Sequence, residues 1–146
     1  MSRDRSLALA RVAVSSLAVV VVLSATGCGK LDEDSVSTEL KTLESSTAEG
    51  MLVAREAARS RAAADFVEIR TAELSKQSAD AAETLDETPT EAGLQRAAGR
   101  GSEIGNRASE ILDELHGNPG DVGLARNVAR ELGSLTEEAG RIGESL

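Results

Sequence analysis

The fold is decided by residues 94–146, which read LQRAAGRGSEIGNRASEILDELHGNPGDVGLARNVARELGSLTEEAGRIGESL. Apolar and small residues recur in this stretch at alternating steps of three and four, and this spacing places them on one stripe of a helix. The two stripes consist of Leu94, Ala97, Gly101, Ile104, Ala108, Ile111 and Leu115, and of Ala125, Val128, Leu132, Leu135, Ala139, Ile142 and Leu146. We therefore predict two amphipathic helices in this part of the chain.

Turn-forming residues separate the two helices. Gly117 is a natural C-terminal stop for the first helix, and Asn118-Pro119 is typical of the start of the second. Upstream, residues 88–91 read TPTE, a capping-box pattern with proline at the first helical position, which predicts that the first helix starts there. The short connection between the helices predicts an antiparallel hairpin.

The same alternation runs through residues 33–87, where it allows two architectures. Its members are Val36, Leu40, Leu43, Thr47, Gly50, Val53, Ala57, Ser60, Ala64, Val67, Thr71, Leu74, Ser78, Ala81 and Leu85. In the first architecture, helices over about 33–58 and 61–87 form a hairpin around Arg59-Ser60-Arg61, which gives an antiparallel four-helix bundle. In the second, one long helix carries both segments and packs against the helical hairpin of residues 89–146.

Both architectures are all-α, and the segment lengths favour the bundle. Each of the four segments would span ~40 Å at a rise of 1.5 Å per residue. A lone long helix would also leave Val36, Leu40 and Leu43 uncovered in a monomer. We therefore predict an antiparallel bundle of four helices over residues 33–146.

Glycines within the last two helices are unusual, because each costs roughly 1 kcal/mol relative to alanine. They are Gly99, Gly101, Gly105, Gly133 and Gly140. Only Gly101 falls on a stripe, where a small residue allows two helices to approach closely. We expect the others to be exposed. They either reflect a composition rich in alanine, glycine and arginine or leave the bundle loose, so that a partner can tighten it.

The charge of the chain excludes two classes of contact. The formal net charge is −9, and removal of residues 1–27, which hold three arginines and one aspartate, would lower it by two to −11. Nucleic acid is bound by a basic face, and adsorption to anionic lipid headgroups also needs basic residues. We predict no nucleic-acid partner, and any membrane attachment must be covalent.

The N-terminal segment has the organisation of an export signal. Arg3, Arg5 and Arg11 form a positive region, and residues 12–25 are uncharged and mostly apolar. A run of this length is shorter than the ~20 residues of a membrane-spanning helix and is typical of a signal-peptide core. It leads directly into Ala25-Thr26-Gly27-Cys28, which contains the only cysteine of the chain.

These four residues resemble the lipobox of bacterial lipoproteins, with Gly27 and Cys28 in agreement and Ala25 at a position where leucine is usual. The resemblance implies that residues 1–27 are a signal peptide that is removed and that Cys28 is the lipid attachment site. Two acyl chains on the cysteine would give stable anchoring. Residues 28–32 would then be a lipidated tether, and the protein would lie on the extracytoplasmic side of the cell membrane.

The sequence predicts neither an active site nor a cofactor. His116 is the only histidine, and Asp113 would share its helix face, but di-iron bundles draw further Glu and His ligands from other helices. We therefore expect no metal site and assign His116 to a helix C-terminus. With Cys28 committed to lipid, no nucleophile with an activating base is evident, and we predict that the protein is not an enzyme.

The expected function is that of a non-enzymatic interaction or spacer module in the cell envelope. The predicted partners are the membrane, through the lipid on Cys28, and either an envelope protein or a second copy of the chain, through the apolar stripes. The alternative is a bundle that binds a small apolar, lipid-like ligand. The single aromatic residue, Phe66, counts against a shaped pocket.

Overall fold

The computed structural model describes residues 30–146, which fold into four α-helices. The helices are α1 (Glu33–Ala58), α2 (Ala64–Glu87), α3 (Gln95–Gly117) and α4 (Val122–Glu144). The all-α fold and the four-helix bundle predicted from the sequence are confirmed. The alternative of a single long helix over residues 33–87 is wrong, because the chain reverses between α1 and α2.

The reversal after α1 is a Schellman motif, a helix end closed by two backbone hydrogen bonds. The N–H of Arg61 donates to the carbonyl of Glu56 at 2.9 Å, and the N–H of Ser60 donates to that of Ala57 at 2.9 Å. Ser60 has a φ of 54°, in the left-handed region where glycine is usual. The turn therefore exists without the glycine that would have indicated it in the sequence.

Neighbouring helices are antiparallel, because residues later in one helix contact residues earlier in the other. Gly133 faces Met51 and Gly140 faces Glu44 between α1 and α4, and the hydroxyl of Ser75 lies 2.9 Å from that of Ser109 between α2 and α3. The most extensive interfaces are α1 with α4 and α2 with α3. Among the described residues, α1 also contacts α3 across the bundle, whereas α2 and α4 remain apart.

Two apolar clusters fill the interior, one towards each end of the bundle. One surrounds Leu74, Ile111 and Leu132, and the other surrounds Leu40 and Leu85. The predicted stripes line these clusters, and only Ser60 and Ala64 of their members are exposed. The break in the long stripe thus coincides with the turn between α1 and α2.

Two predicted helix starts are wrong. Residues 88–91 do not cap α3, which begins at Gln95, because Pro89 and Glu91 bind the backbone of Leu31 and keep this segment extended. Asn118-Pro119 likewise precedes α4 and does not open it. The carboxylate of Asp121 accepts the N–H of Leu124 at 2.9 Å and caps α4 three residues further on.

The expectation that the remaining glycines are exposed holds for Gly99 only. Gly133 and Gly140 are half-buried, and Gly105 is buried. A Cβ at Gly105 would lie 2.7 Å from the carbonyl oxygen of Ser78 and 2.8 Å from the Cβ of Ala82. Gly101 faces Leu85 and Leu40 as a stripe residue, in agreement with the prediction. Gly99 has open space around it. Glycine therefore allows α2 and α3 to approach closely at two successive turns.

Candidate functional site

The predicted lipid attachment site, Cys28, lies outside the described residues, and the fold can be followed from Lys30 onward. Leu31 is buried, and its N–H donates to the carbonyl of Pro89 at 2.7 Å. The carbonyl of Leu31 accepts the N–H of Glu91 at 3.2 Å. Leu31, which we predicted as part of a tether over residues 28–32, therefore belongs to the folded domain.

Asp32, the last residue of the predicted tether, is the N-cap of α1. Its carboxylate accepts the backbone N–H of Ser35 at 2.9 Å. Hydrogen bonds from the side chain and the backbone of Ser35 hold the pKa of Asp32 below its ordinary value. Glu33 and Asp34 lie in the first turn of the helix, where carboxylates favour the positive end of the dipole. These carboxylates thus stabilise the N-terminus of α1.

The bundle has two distinct ends. The proximal end holds Leu31, the segment of residues 88–94 and the chain terminus at Leu146. The distal end holds the turn of residues 59–63 and the turn of residues 118–121. Because α1 has 26 residues, the two ends are about 39 Å apart at 1.5 Å per residue.

A groove lined by four arginines lies near the distal end, between the last turns of α1 and the early turns of α4. It has a volume of about 410 Å³, and its lining consists of Arg55, Ala58, Arg59, Arg126, Ala129 and Arg130. We call it the arginine groove. The two alanines form a small apolar floor, and the four arginines are exposed around it.

The arginines of the groove differ from the three that bridge helices elsewhere. Arg70, Arg100 and Arg107 each form ion pairs with two carboxylates, one on their own helix and one on a neighbour. In the groove, Arg59 pairs only with Glu56 of its own helix, at 3.0 Å. Within residues 30–146, neither Arg55 nor Arg126 forms an ion pair.

The arginine groove was missed by the sequence analysis. Arg55 and Arg59 are four residues apart, as are Arg126 and Arg130, so each pair shares a helix face. Only the antiparallel packing of α1 on α4 brings these pairs together, and the apolar stripes do not include the polar flanks on which the arginines lie. A comparison of the flanks of adjacent helices could have found it.

His116 has the structural role predicted for it. It lies in the last turn of α3, and its Nδ1 atom is 3.0 Å from the carbonyl oxygen of Glu68 on α2. Asp113 is exposed on the same helix. Among residues 30–146, no group of three His, Cys, Asp or Glu side chains is arranged to hold a metal ion.

Three large apolar side chains are exposed on α1 and α2. Phe66 and Ile69 are one turn apart on α2, and Leu52 lies on α1. Across the part of the chain that the structure describes, no helix has the length and hydropathy needed to cross a membrane. Comparison of the chain with family models, curated proteins and solved structures found no match.

Proposed function

We propose that the protein is an extracytoplasmic lipoprotein, anchored to the cell membrane through Cys28, whose bundle acts as a non-enzymatic interaction or spacer module in the cell envelope. The observation that best supports this proposal is the attachment of Leu31 to the loop before α3. Cys28 is only three residues before Leu31, so a lipid on Cys28 would hold the proximal end of the bundle close to the membrane.

The shape of the bundle suits a spacer. With the proximal end at the membrane, the distal end would stand about 39 Å further out if the helices are upright. The arginine groove would then face the envelope space and not the anchoring lipid. The bundle would thus carry this arginine cluster at the end where a partner is accessible.

The interior of the bundle favours this proposal over the binding of a small apolar ligand. Leucine and isoleucine side chains of α1, α2, α3 and α4 meet at the centre and are fully buried. A ligand cavity of useful size would need space of ~300 Å³ or more. The spaces of that size among the described residues are open grooves on the surface, lined mainly by polar and charged side chains.

The test of the anchor is the Cys28→Ser variant in a bacterial host with lipoprotein processing. The parent should fractionate with membranes and carry the mass of residues 28–146 plus lipid. The variant should be released from the membrane or remain as an unprocessed precursor, because the thioether to the lipid needs the cysteine sulfur. Unchanged fractionation together with unchanged mature mass would contradict the proposal.

A further inference from the structure

The positive charge of the arginine groove has no carboxylate partners to balance it within the described residues, apart from the exposed pair of Arg59 with Glu56. Arg130 donates to the side-chain oxygen of Asn127, a neutral acceptor, at 2.8 Å. The whole chain is acidic, at a net charge of −9, and carboxylates are therefore plentiful. Among the described residues, however, none of them forms an ion pair with Arg55 or Arg126, and both side chains are exposed, which leaves these guanidinium groups available to an external anion.

The helix dipoles explain the positions of the arginines on α1 but not of those on α4. Arg55 and Arg59 lie at the C-terminal end of α1, where the dipole favours cations. Arg126 is the fifth residue of α4 and lies near its N-terminal end, where the dipole disfavours a cation. Helix stability therefore does not account for placing Arg126 and Arg130 opposite the arginines of α1.

The spacing of the arginines in the groove matches the spacing of carboxylates along a second helix. Each arginine pair is four residues apart, a rise of about 6 Å along the helix. Carboxylates four residues apart on another helix repeat with the same rise. Guanidinium groups bind carboxylates in a planar, two-pronged geometry, and the floor of Ala58 and Ala129 accommodates the aliphatic stems of glutamates.

We propose that the arginine groove docks an acidic helix of a partner protein through glutamates four residues apart. The proposal rests on the proposed function, because it names the chemistry of the partner that the distal end would meet. The anchoring membrane is excluded as the occupant, because its headgroups would lie at the opposite end of the bundle. A free small anion would engage the guanidinium groups but leave the apolar floor uncovered.

The probe is a labelled, alanine-rich peptide of roughly 18 residues, long enough to form a helix, with glutamates at every fourth position of one face. It is titrated into the full-length chain in neutral detergent. We expect the peptide to bind, and added salt to weaken the binding. The double variant Arg55→Gln with Arg126→Gln should bind about tenfold more weakly or worse, because two charge-assisted contacts are lost.

The matched control is Arg96→Gln with Arg141→Gln, which changes the net charge by the same amount at the proximal end. Both residues are exposed, and binding by this control should equal that of the parent. A second groove variant, Arg59→Gln with Arg130→Gln, should reproduce the loss. Circular dichroism should give the parental helix content for all three variants, and weakened binding in folded groove variants alone supports the proposal.

Three results would overturn it. The same peptide with glutamine in place of glutamate could bind equally well, or the proximal control could lose as much affinity as the groove variants. Inorganic pyrophosphate could bind the groove while the glutamate peptide does not, which would make the occupant a small phosphate. The titration does not depend on Cys28, so its failure and a failure of the membrane-anchoring test are distinguishable.

Discussion

Gly105 permits a separation between α2 and α3 that any side chain would prevent. The position where its Cβ would be is 2.7 Å from a backbone oxygen of Ser78, an atom that cannot move without displacing α2. Gly99 lies on the same helix, but its surroundings are open within 4 Å. Glycine is therefore required at position 105 but not at position 99, although neither lies on the predicted stripe.

We expect Gly105→Ala to lower the free energy of unfolding by about 1 to 3 kcal/mol, the usual cost of overpacking a buried contact. Gly99→Ala is the matched control. It should raise the free energy of unfolding by up to about 1 kcal/mol, because alanine is the better helix former. Urea unfolding curves of both variants test this pair, and an equal gain in both would show that α2 and α3 are not tightly packed at Gly105.

Buried hydroxyl groups show how far residue-level prediction reaches. The alternation of the stripes correctly predicted that Thr47 and Ser78 face the core. It could not predict their partners, because these depend on how the helices pair. The hydroxyl of Ser78 lies 3.0 Å from that of Ser46, and that of Thr47 lies 2.9 Å from that of Thr136. Within residues 30–146, every buried side-chain nitrogen or oxygen has a hydrogen-bond partner.

At the level of helices, the sequence predicted which segments are helical but not where every helix begins and ends. The bounds of α1 agree with the prediction of 33–58, since its stripe is continuous and the chain reverses after Ala58. The turn at Ser60 left two architectures open, because a left-handed serine carries no signal that distinguishes it from a helical one. The TPTE pattern misled because a distant residue, Leu31, binds that segment.

The cap of α1 predicts a pH dependence. Because the pKa of Asp32 is lowered in the folded state, its contribution to stability is complete above the ordinary aspartate pKa of about 3.9. That contribution is lost as the pH falls through the lower folded-state pKa. Asp32→Ala should therefore lower the melting temperature at neutral pH, and the difference from the parent should shrink below a pH of about 4.

The control for the cap is Asp34→Ala, which removes the same charge from the same helix end but leaves the cap bond to Ser35 in place. Its effect on the melting temperature at neutral pH should be smaller. Thermal melts of parent and both variants across acidic and neutral pH provide the measurement. A deficit of Asp32→Ala that stays constant down to strongly acidic pH would refute the cap as its source.

For the molecule as a whole, stability depends on a core of aliphatic side chains without aromatics. Ile111 and Leu132 are fully buried in the same cluster, as their stripes predicted. Truncation of such a side chain costs about 2 to 5 kcal/mol, against a total near the low end of ~5 to 15 kcal/mol for a domain of this kind. Ile111→Ala should therefore leave the chain largely unfolded at physiological temperature.

Glu137→Ala is the control for the core, because Glu137 is exposed on α4 and should change the melting temperature little. Circular dichroism melts of both variants, made without residues 1–27, provide the comparison. A cooperative transition of Ile111→Ala close to that of the parent would mean that the core tolerates the cavity.

The candidate sites were predictable to different degrees. Lipidation of Cys28 was predicted from local sequence, and it remains a prediction because the residue lies outside the described part of the chain. The arginine groove could not be predicted from α1 or α4 alone, since each contributes only a pair of surface arginines. It exists because the antiparallel packing of the two helices sets those pairs opposite each other.

The backbone bridge at Leu31 determines how the bundle would respond to mechanical load. A pull on the N-terminus reaches Leu31 before it reaches α1, and the two hydrogen bonds of Leu31 pass the tension to the segment between α2 and α3. The load would thus be shared by α1, α2 and α3, and α1 would not unfold turn by turn from its N-terminus. We therefore expect the bundle to resist stepwise unfolding when its N-terminus is pulled.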